Sequence, residues 1–255
     1  MSIEALIFDV DGTLADTEET HRQAFNAAFL EHDLNWNWSS HQYLDLLNIS
    51  GGKERIAQYI DSLKLPAEEK QRLHGSVAAI HRTKTRTFAE LIRDGRSPLR
   101  PGVARLIREA REAGVKLGLA STTSPANVEA LISAGLGEEG YHWFNAIACA
   151  DEVPNKKPAP DVYNVVLSTL GLRASACVAL EDSGNGVRAA KAAGLFTIAI
   201  PTIWTQTQDL SEADLVLYSL GDPEQPLDPG AAARIGAPYL GLAQIAALHG
   251  RAAAA

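Results

Sequence analysis

Two aspartates two residues apart, Asp9 and Asp11, close a short apolar run from Ile3 to Phe8. Later apolar runs end in Ser121 and Thr122, and in Glu181 and Asp182, while Lys156 and Lys157 follow a third. Together these residues supply carboxylates, a hydroxyl and one or two ammonium groups. That set suits phosphoryl transfer, which needs a nucleophile, a proton donor, a hard-cation site and positive charge around the equatorial oxygens. Aspartate can attack phosphorus and form a covalent intermediate. A second carboxylate two residues on can face the leaving oxygen, first as acid and then as base. Carboxylates alone repel a phosphate, whereas Mg2+ bridges carboxylate and phosphoryl oxygens and neutralises the developing charge. Mg2+ is therefore the expected cofactor.

These residues need elements that bring them to one place. Apolar runs at Ile3–Phe8, Val115–Ala120, Ala146–Ala150, Ala176–Leu180 and Thr197–Ile200 read as buried parallel strands, with a short edge strand at 214–217. Helices fit Val103–Ala113, Asn127–Ala134 and Val187–Ala193, stopped by Gly114, Gly135 and Gly194. Strands alternating with helices imply an α/β, doubly wound, Rossmann-like parallel sheet, whose ligands bind beyond the carboxyl ends of the strands. Residues 18–93 differ: apolar positions recur at helical spacing, and Ser39 and Pro66 can each open a helix. The expected division is a first core strand in 1–16, an inserted all-helical cap in 17–97, the rest of the core in 98–220, and an extension in 221–255. That extension is rich in Pro, Gly and Ala, with one surface helix expected near Leu240–Leu248 and a frayed end. Asp16 and Thr17 are expected to shape the hinge into the cap, and Trp36 and Trp38 to form its core.

Asp9-Val10-Asp11-Gly12-Thr13-Leu14 resembles the first signature of the haloacid dehalogenase superfamily, Ser121 the second, Lys157-Pro158 the third, and Glu181-Asp182-Ser183-Gly184-Asn185-Gly186 the fourth. The four stand in the family's order. The resemblance implies Asp9 as nucleophile and Asp11 as acid and base. It implies Ser121 and Lys157 as contacts to the phosphoryl group. Mg2+ would be held by Asp9, the Asp11 backbone carbonyl and Asp182, with Glu181 supporting that shell. Gly184 replaces a bulkier residue, which is expected to loosen packing.

The cap resembles that of CbbY-type phosphatases, which hydrolyse xylulose-1,5-bisphosphate, an inhibitor of Rubisco. The segments that carry this likeness are Glu18–Arg22, Ser50–Arg55, His81–Lys84 and Thr122–Asn127. The resemblance implies substrate contacts from Glu18, His21, Ser50, Gly51, Gly52, Lys53, Glu54, His81, Arg82, Lys84, Ser121, Thr122, Thr123, Ser124 and Asn127. Helical periodicity bears on part of this set without the family. Val77, Ile80, Phe88, Leu91 and Ile92 share one stripe, Lys84 falls inside it, His81 lies at its margin, and Arg82 and Arg86 point away. A lysine in an apolar stripe either snorkels or meets an anion, which favours Lys84 over Arg82 for a distal phosphate.

Other readings fit less well. Ser121, or Glu181 with Asp182, could merely cap a helix. Gly184–Ala189 fits GxGxxA, but no acidic residue follows about 20 positions on, and Glu181 and Asp182 would repel a pyrophosphate. A β-phosphoglucomutase-type isomerase shares Asp9, Asp11 and His21 but usually has Arg where Lys53 stands. A dehalogenase usually lacks Asp11, and a non-catalytic binding protein would not need every catalytic position filled. The net charge of −8 argues against nucleic-acid binding, and residues 17–97 are neutral overall, so the excess charge lies outside the cap. No apolar run is long enough for a bilayer, and acidic residues interrupt the early one. The expected protein is a cytoplasmic monomer acting on a small sugar phosphate, with no membrane or nucleic-acid partner. Cys149 and Cys177 are expected as small core residues.

Overall fold

The computed structural model describes residues 3–149 and 152–252. Six strands, β1 (Ala5–Phe8), β2 (Lys116–Ala120), β3 (Ala146–Ala148), β4 (Cys177–Glu181), β5 (Phe196–Ala199) and β6 (Leu215–Val216), form one sheet in the order β3-β2-β1-β4-β5-β6. Every pairing is parallel. Each strand is a residue or more shorter or shifted against its expected run, and Ala150 lies outside the described residues.

Side-chain alternation sorts the sheet into two unequal faces. Leu6, Phe8, Leu117, Leu119, Val178 and Leu180 fill one core with α5 (Val103–Glu112) and α6 (Pro125–Leu136). Ala5, Ile7, Ala120 and Ala179 face α7 (Asp161–Leu170) and α8 (Gly184–Ala192). The second face is built from small residues because those helices lie close: a Cβ on Gly118 would stand 2.7 Å from Val166 Cγ1. Helix α6 runs through Gly135, and its cap is Gly137 at φ 84°. Gly135 lies inside the helix, where a Cβ would stand 2.5 Å from Leu99 Cγ, so it serves close packing and the left-handed stop falls two residues later.

Between β1 and β2 stand α1 (Glu18–Glu31), α2 (Ser40–Leu46), α3 (Gly52–Ser62) and α4 (Ala67–Arg93). Ser39 caps α2 by accepting from Gln42 N (3.2 Å), and Pro66 opens α4. These helices have their own core of Phe25, Phe29, Trp38, Tyr43, Ile56, Ile60 and Ile80, with Trp36 partly buried beside it. Two linkers join this unit to the sheet, and they are tied together. Ala15 bridges Leu99 in antiparallel fashion, and Thr20 Oγ1 lies 2.8 Å from Ser97 Oγ.

The C-terminal segment holds the helix expected near Leu240–Leu248, but that helix and a second one before it join the core and do not lie free on the surface. Helices α9 (Pro229–Ile235) and α10 (Leu242–Ala252) pack on the sheet, and Leu227, Ile235, Leu240 and Ile245 belong to the main core. Widely spaced apolar residues among Pro, Gly and Ala concealed that packing; residues 253–255 lie outside the described chain.

Arg100 fastens the second linker. Its guanidinium donates to the carbonyls of Gly12, Ile200 (2.5 Å), Pro201 (3.1 Å) and Tyr218 (3.1 Å). Removing it leaves several carbonyls without donors, which costs about 2–3 kcal/mol. Arg100→Ala should lower the melting temperature by roughly 5–10 °C; a shift of about one degree or less would mean that water replaces the guanidinium at little cost.

Candidate active site

Asp9 leaves the end of β1, and its amide donates to Leu180 O of the neighbouring strand (2.9 Å). The chain then turns through Gly12 at φ 91°, where any Cβ would collide with the Asp182 carboxylate. Glycine is thus required twice at this position, for backbone angle and for space. Gly12 N bonds Ala15 O (2.8 Å), which closes the turn and aims Asp11 at the cavity.

Lys157 Nζ donates to Asp9 Oδ1 (2.6 Å), Glu181 Oε1 (2.6 Å) and Ala120 O (2.8 Å), so one buried ammonium joins the ends of β1, β2 and β4. Tyr163 Oη donates to the same Glu181 Oε1 (2.5 Å). Burial alone would lower the Lys157 pKa, but Asp9 and Glu181 raise it above the usual lysine range. Burial raises Asp9 to about 7, opposed by Lys157 and assisted by Glu181. Asp182 is pushed well up by burial and then by Asp9 and Glu181. One ammonium is not enough to hold three buried carboxylates ionised.

The donor set fits a hard divalent cation. Carboxylate oxygens of Asp9, Glu181 and Asp182 lie within 4.8 Å of one another, and Asp9 Oδ2 is buried without a hydrogen-bond partner. Glu181 is already engaged by Lys157 and Tyr163, which leaves Asp9 and Asp182 as the available ligands.

Asp11 is held from the cap side. Its Oδ1 accepts from Thr17 Oγ1 (2.8 Å) and lies 2.8 Å from His21 Nε2, while Lys84 Nζ lies 2.7 Å from His21 Nδ1. An ammonium has no acceptor, so His21 Nδ1 accepts from Lys84 and His21 Nε2–H donates to Asp11. Burial would raise the Asp11 pKa, but His21 and Thr17 outweigh it and hold the carboxyl far below its usual range. Burial and Lys84 lower the His21 pKa, consistent with a neutral ring.

The cavity above these groups brings most of the expected residues together. Asp9, Asp11, Glu18, His21, Ser50, Gly51, Gly52, Lys53, His81, Lys84, Thr122, Thr123, Ser124, Lys157 and Asp182 line it. Ser124 Oγ is buried there with no partner. Ser121 is buried behind the wall, where its Oγ accepts from Thr123 N (3.1 Å) and keeps its own proton to donate. Three further expected contacts do not reach the cavity. Arg82 is exposed, two positions before Lys84 on α4 and so turned away from the face carrying it. Asn127 is buried and donates to Thr123 Oγ1 (2.8 Å), supporting a lining hydroxyl from behind. Glu54 points outward and pairs with Lys156 (2.5 Å). Thr17, expected only as a hinge residue, touches Asp11 directly.

Several lining residues were not among the expected contacts: Phe25, Leu47, Arg55, Ser183, Asn185, Thr205 and Gln208; Lys156, one of the two candidate strand-end lysines, lines the cavity as Lys157 does. Thr205 follows β5 and donates to Asp182 Oδ2 (3.1 Å); the strand-end rule applied to β5 would have found it. Gly184 packs without looseness, because a Cβ there would stand 2.8 Å from Asp209 O. Both cysteines are buried, as expected of small core residues.

A parallel sheet roofed by a helical cap, with paired aspartates, a buried lysine and a second acidic pair at its strand ends, defines a hydrolase class. The chain matches the haloacid dehalogenase-like hydrolase family over residues 3–194 and belongs to it. It is a phosphatase of that family, of the kind that acts on sugar phosphates. Within the family it resembles the protein CbbY of Cupriavidus necator, with 49% identity over 97% of each chain. The crystal structure of CbbY from Rhodobacter sphaeroides in complex with phosphate superposes with a TM-score of 0.79, at 46% identity over 85% of this chain and 94% of that one. An Asp-to-Asn variant of that protein in complex with xylulose-(1,5)bisphosphate gives 0.80 at the same identity and coverage. No helix among the described residues is long and apolar enough to cross a membrane.

A cation between Asp9 and Asp182 should stabilise the fold. At about 100 times its dissociation constant, Mg2+ would add about 2.7 kcal/mol, a rise of roughly 5–10 °C in melting temperature. Asp182→Asn should abolish the rise, and an undiminished rise in that variant would place the cation elsewhere.

Proposed function

We propose that this chain is a Mg2+-dependent phosphatase that hydrolyses xylulose-1,5-bisphosphate to xylulose 5-phosphate through a phosphorylated Asp9. The observation that carries this reading is the arrangement of Asp9 and Asp11. Asp9 is pinned by Lys157 at the cavity floor, and Asp11 is held beside it by cap residues. The relatives' bound phosphate and xylulose bisphosphate support the choice of substrate.

An Asp9 carboxylate oxygen attacks phosphorus while Lys157 offsets charge on the nucleophile and the phosphoryl group. Asp11, ionised in the resting site, must first take up a proton; it gives that proton to the departing sugar oxygen, then takes one from the water that attacks the acyl phosphate, so phosphate leaves and Asp9 is restored. Bound Mg2+, held by Asp9, Asp182 and the Asp11 backbone carbonyl, would supply further charge neutralisation at the phosphoryl oxygens. Ser121 donates to one of those oxygens. Glu18 accepts from Tyr43 Oη (2.9 Å) and has a second oxygen for sugar hydroxyls. Lys84 and Lys53 provide positive charge for the second phosphate, with the His81 ring beside them.

Asp9→Asn should abolish Mg2+-dependent phosphate release while leaving the circular dichroism unchanged, and retained turnover would remove Asp9 as nucleophile. The substrate is tested with xylulose-1,5-bisphosphate, ribulose-1,5-bisphosphate, fructose-1,6-bisphosphate and β-glucose 1-phosphate. Preference for the first supports the assignment. Preference for another bisphosphate makes the chain a different sugar-phosphate phosphatase, and isomerisation of β-glucose 1-phosphate without phosphate release makes it a mutase.

Burial lowers Lys84 to about 8. Its positive charge is present below that pH and lost above it, so kcat/KM for a bisphosphate should fall as pH rises through about 8, more steeply than for a monophosphate. Lys84→Ala should remove a charge-assisted contact of about 1.5–3 kcal/mol, a loss of roughly 10- to 100-fold for the bisphosphate. Equal losses on mono- and bisphosphates would leave Lys84 only its role in orienting His21.

A further inference from the structure

Residues 48–54, the end of the α2–α3 loop and the first turn of α3, overhang the cavity, and core residues grip them at two points. Lys156 Nζ meets Glu54 Oε1 at 2.5 Å. Asn185 Nδ2 donates to Asn48 O (3.2 Å) and Ser50 Oγ (3.1 Å). The orientation of that amide follows from its other end, where Asn185 Oδ1 accepts from Arg188 Nη2 (2.7 Å). A third contact is apolar: Trp204 stands edge-on to Tyr43, ring centroids 5.9 Å apart, and packs on the cap core.

The three core residues share one property. Lys156 precedes Lys157, Asn185 lies three positions after Asp182 across the turn into α8, and Trp204 precedes Thr205, whose hydroxyl donates to Asp182. Each contact point on the core is thus within three residues of a group that holds Asp9 or the proposed cation site. Gly51 shows how closely the loop is seated: at φ 97°, its Cβ would collide with the Glu54 carboxylate and stand 2.6 Å from Lys156 Nζ.

We propose that Lys156, Asn185 and Trp204 are cap-docking residues, through which closure of the 48–54 segment sets the position of the loops carrying Lys157 and Asp182. They act as positioning residues, not catalytic ones. The proposal rests on the roles given above to Lys157 and Asp182. In this reading Glu54 belongs to closure and not to the substrate, which accounts for its outward direction. The glycine pair Gly51-Gly52 lets the loop descend far enough for Glu54 and Ser50 to reach two different core loops at once.

The test is a charge-reversal cycle. Glu54→Lys sets two ammonium groups against each other and should raise KM for xylulose-1,5-bisphosphate roughly 5-fold or more. Combining it with Lys156→Glu restores an opposite pair and should bring KM back to within about 2-fold of the parent. Hydrogen exchange of the 48–54 backbone, measured without substrate, should speed up in the single variant and slow again in the double one. Asn185→Ala, which alters neither charge, should speed exchange in the same segment. Additive losses with no recovery in KM or exchange would overturn the proposal and make Lys156 or Glu54 a direct substrate contact. The exchange readout needs no turnover: recovery there in a protein that hydrolyses none of the sugar phosphates would sink the substrate assignment and keep the docking pair.

Discussion

Three carboxylates and one ammonium, all buried, meet where β1, β2 and β4 end. Asp9, Glu181 and Asp182 repel one another in a buried site, and Lys157 bridges the two strands that carry them. A buried charge is tolerated when paired and costly when not. Lys157 settles the pairing for Asp9 and Glu181, Tyr163 completes Glu181, and Thr205 gives Asp182 a single neutral donor. What remains is a deficit of positive charge, visible as an unpartnered Asp9 oxygen and two raised carboxyl pKa values. The same deficit makes the site receptive to a divalent cation and, with the cation, to a phosphate.

The rest of the molecule follows from keeping those groups in register. The small-residue face of the sheet lets α7 lie close enough for Tyr163 to reach Glu181. The Gly12 turn packs on Asp182 without a side chain between them. Arg100 binds that turn to the end of β5 and to the second linker, so the hinge of the cap and the floor of the site share one fastening.

The core site was legible in the sequence because its residues sit at strand ends, and strand ends in a parallel sheet converge. Lys84 was legible for another reason, a charge inside an apolar helical stripe, and the same geometry turned Arg82 away. Glu54 and Asn127 fall within segments that resemble substrate-contacting ones, yet each serves a neighbour: Glu54 meets Lys156, and Asn127 meets Thr123. Residue type and proximity do not distinguish touching a ligand from touching the residue that touches it. Phe25 and Leu47 could not be told from ordinary cap core, since an apolar cavity wall and an apolar core obey the same periodicity. Of the C-terminal helices, α9 and the packing of both on the core were concealed by composition, because four dispersed apolar residues are enough to seat them there.

Asp11, the proposed acid and base, is the point where core and cap are least separable. Asp11 belongs to the core loop, but two of its hydrogen-bond partners, Thr17 and His21, lie at or just inside the start of α1, and the His21 ring is backed by Lys84 on α4. His21 also stacks on Phe88 of α4, centroids 4.0 Å apart, so the ring is fixed by the cap on its face as well as at Nδ1. A rigid rotation of the cap about its two linkers carries His21 and Lys84 together and leaves their mutual bond intact. The bond that changes length is His21 Nε2 to Asp11, and with it the preference of Asp11 for its ionised form. The cap therefore does more than cover the site: through a neutral imidazole it holds the carboxyl beneath it in its ionised form.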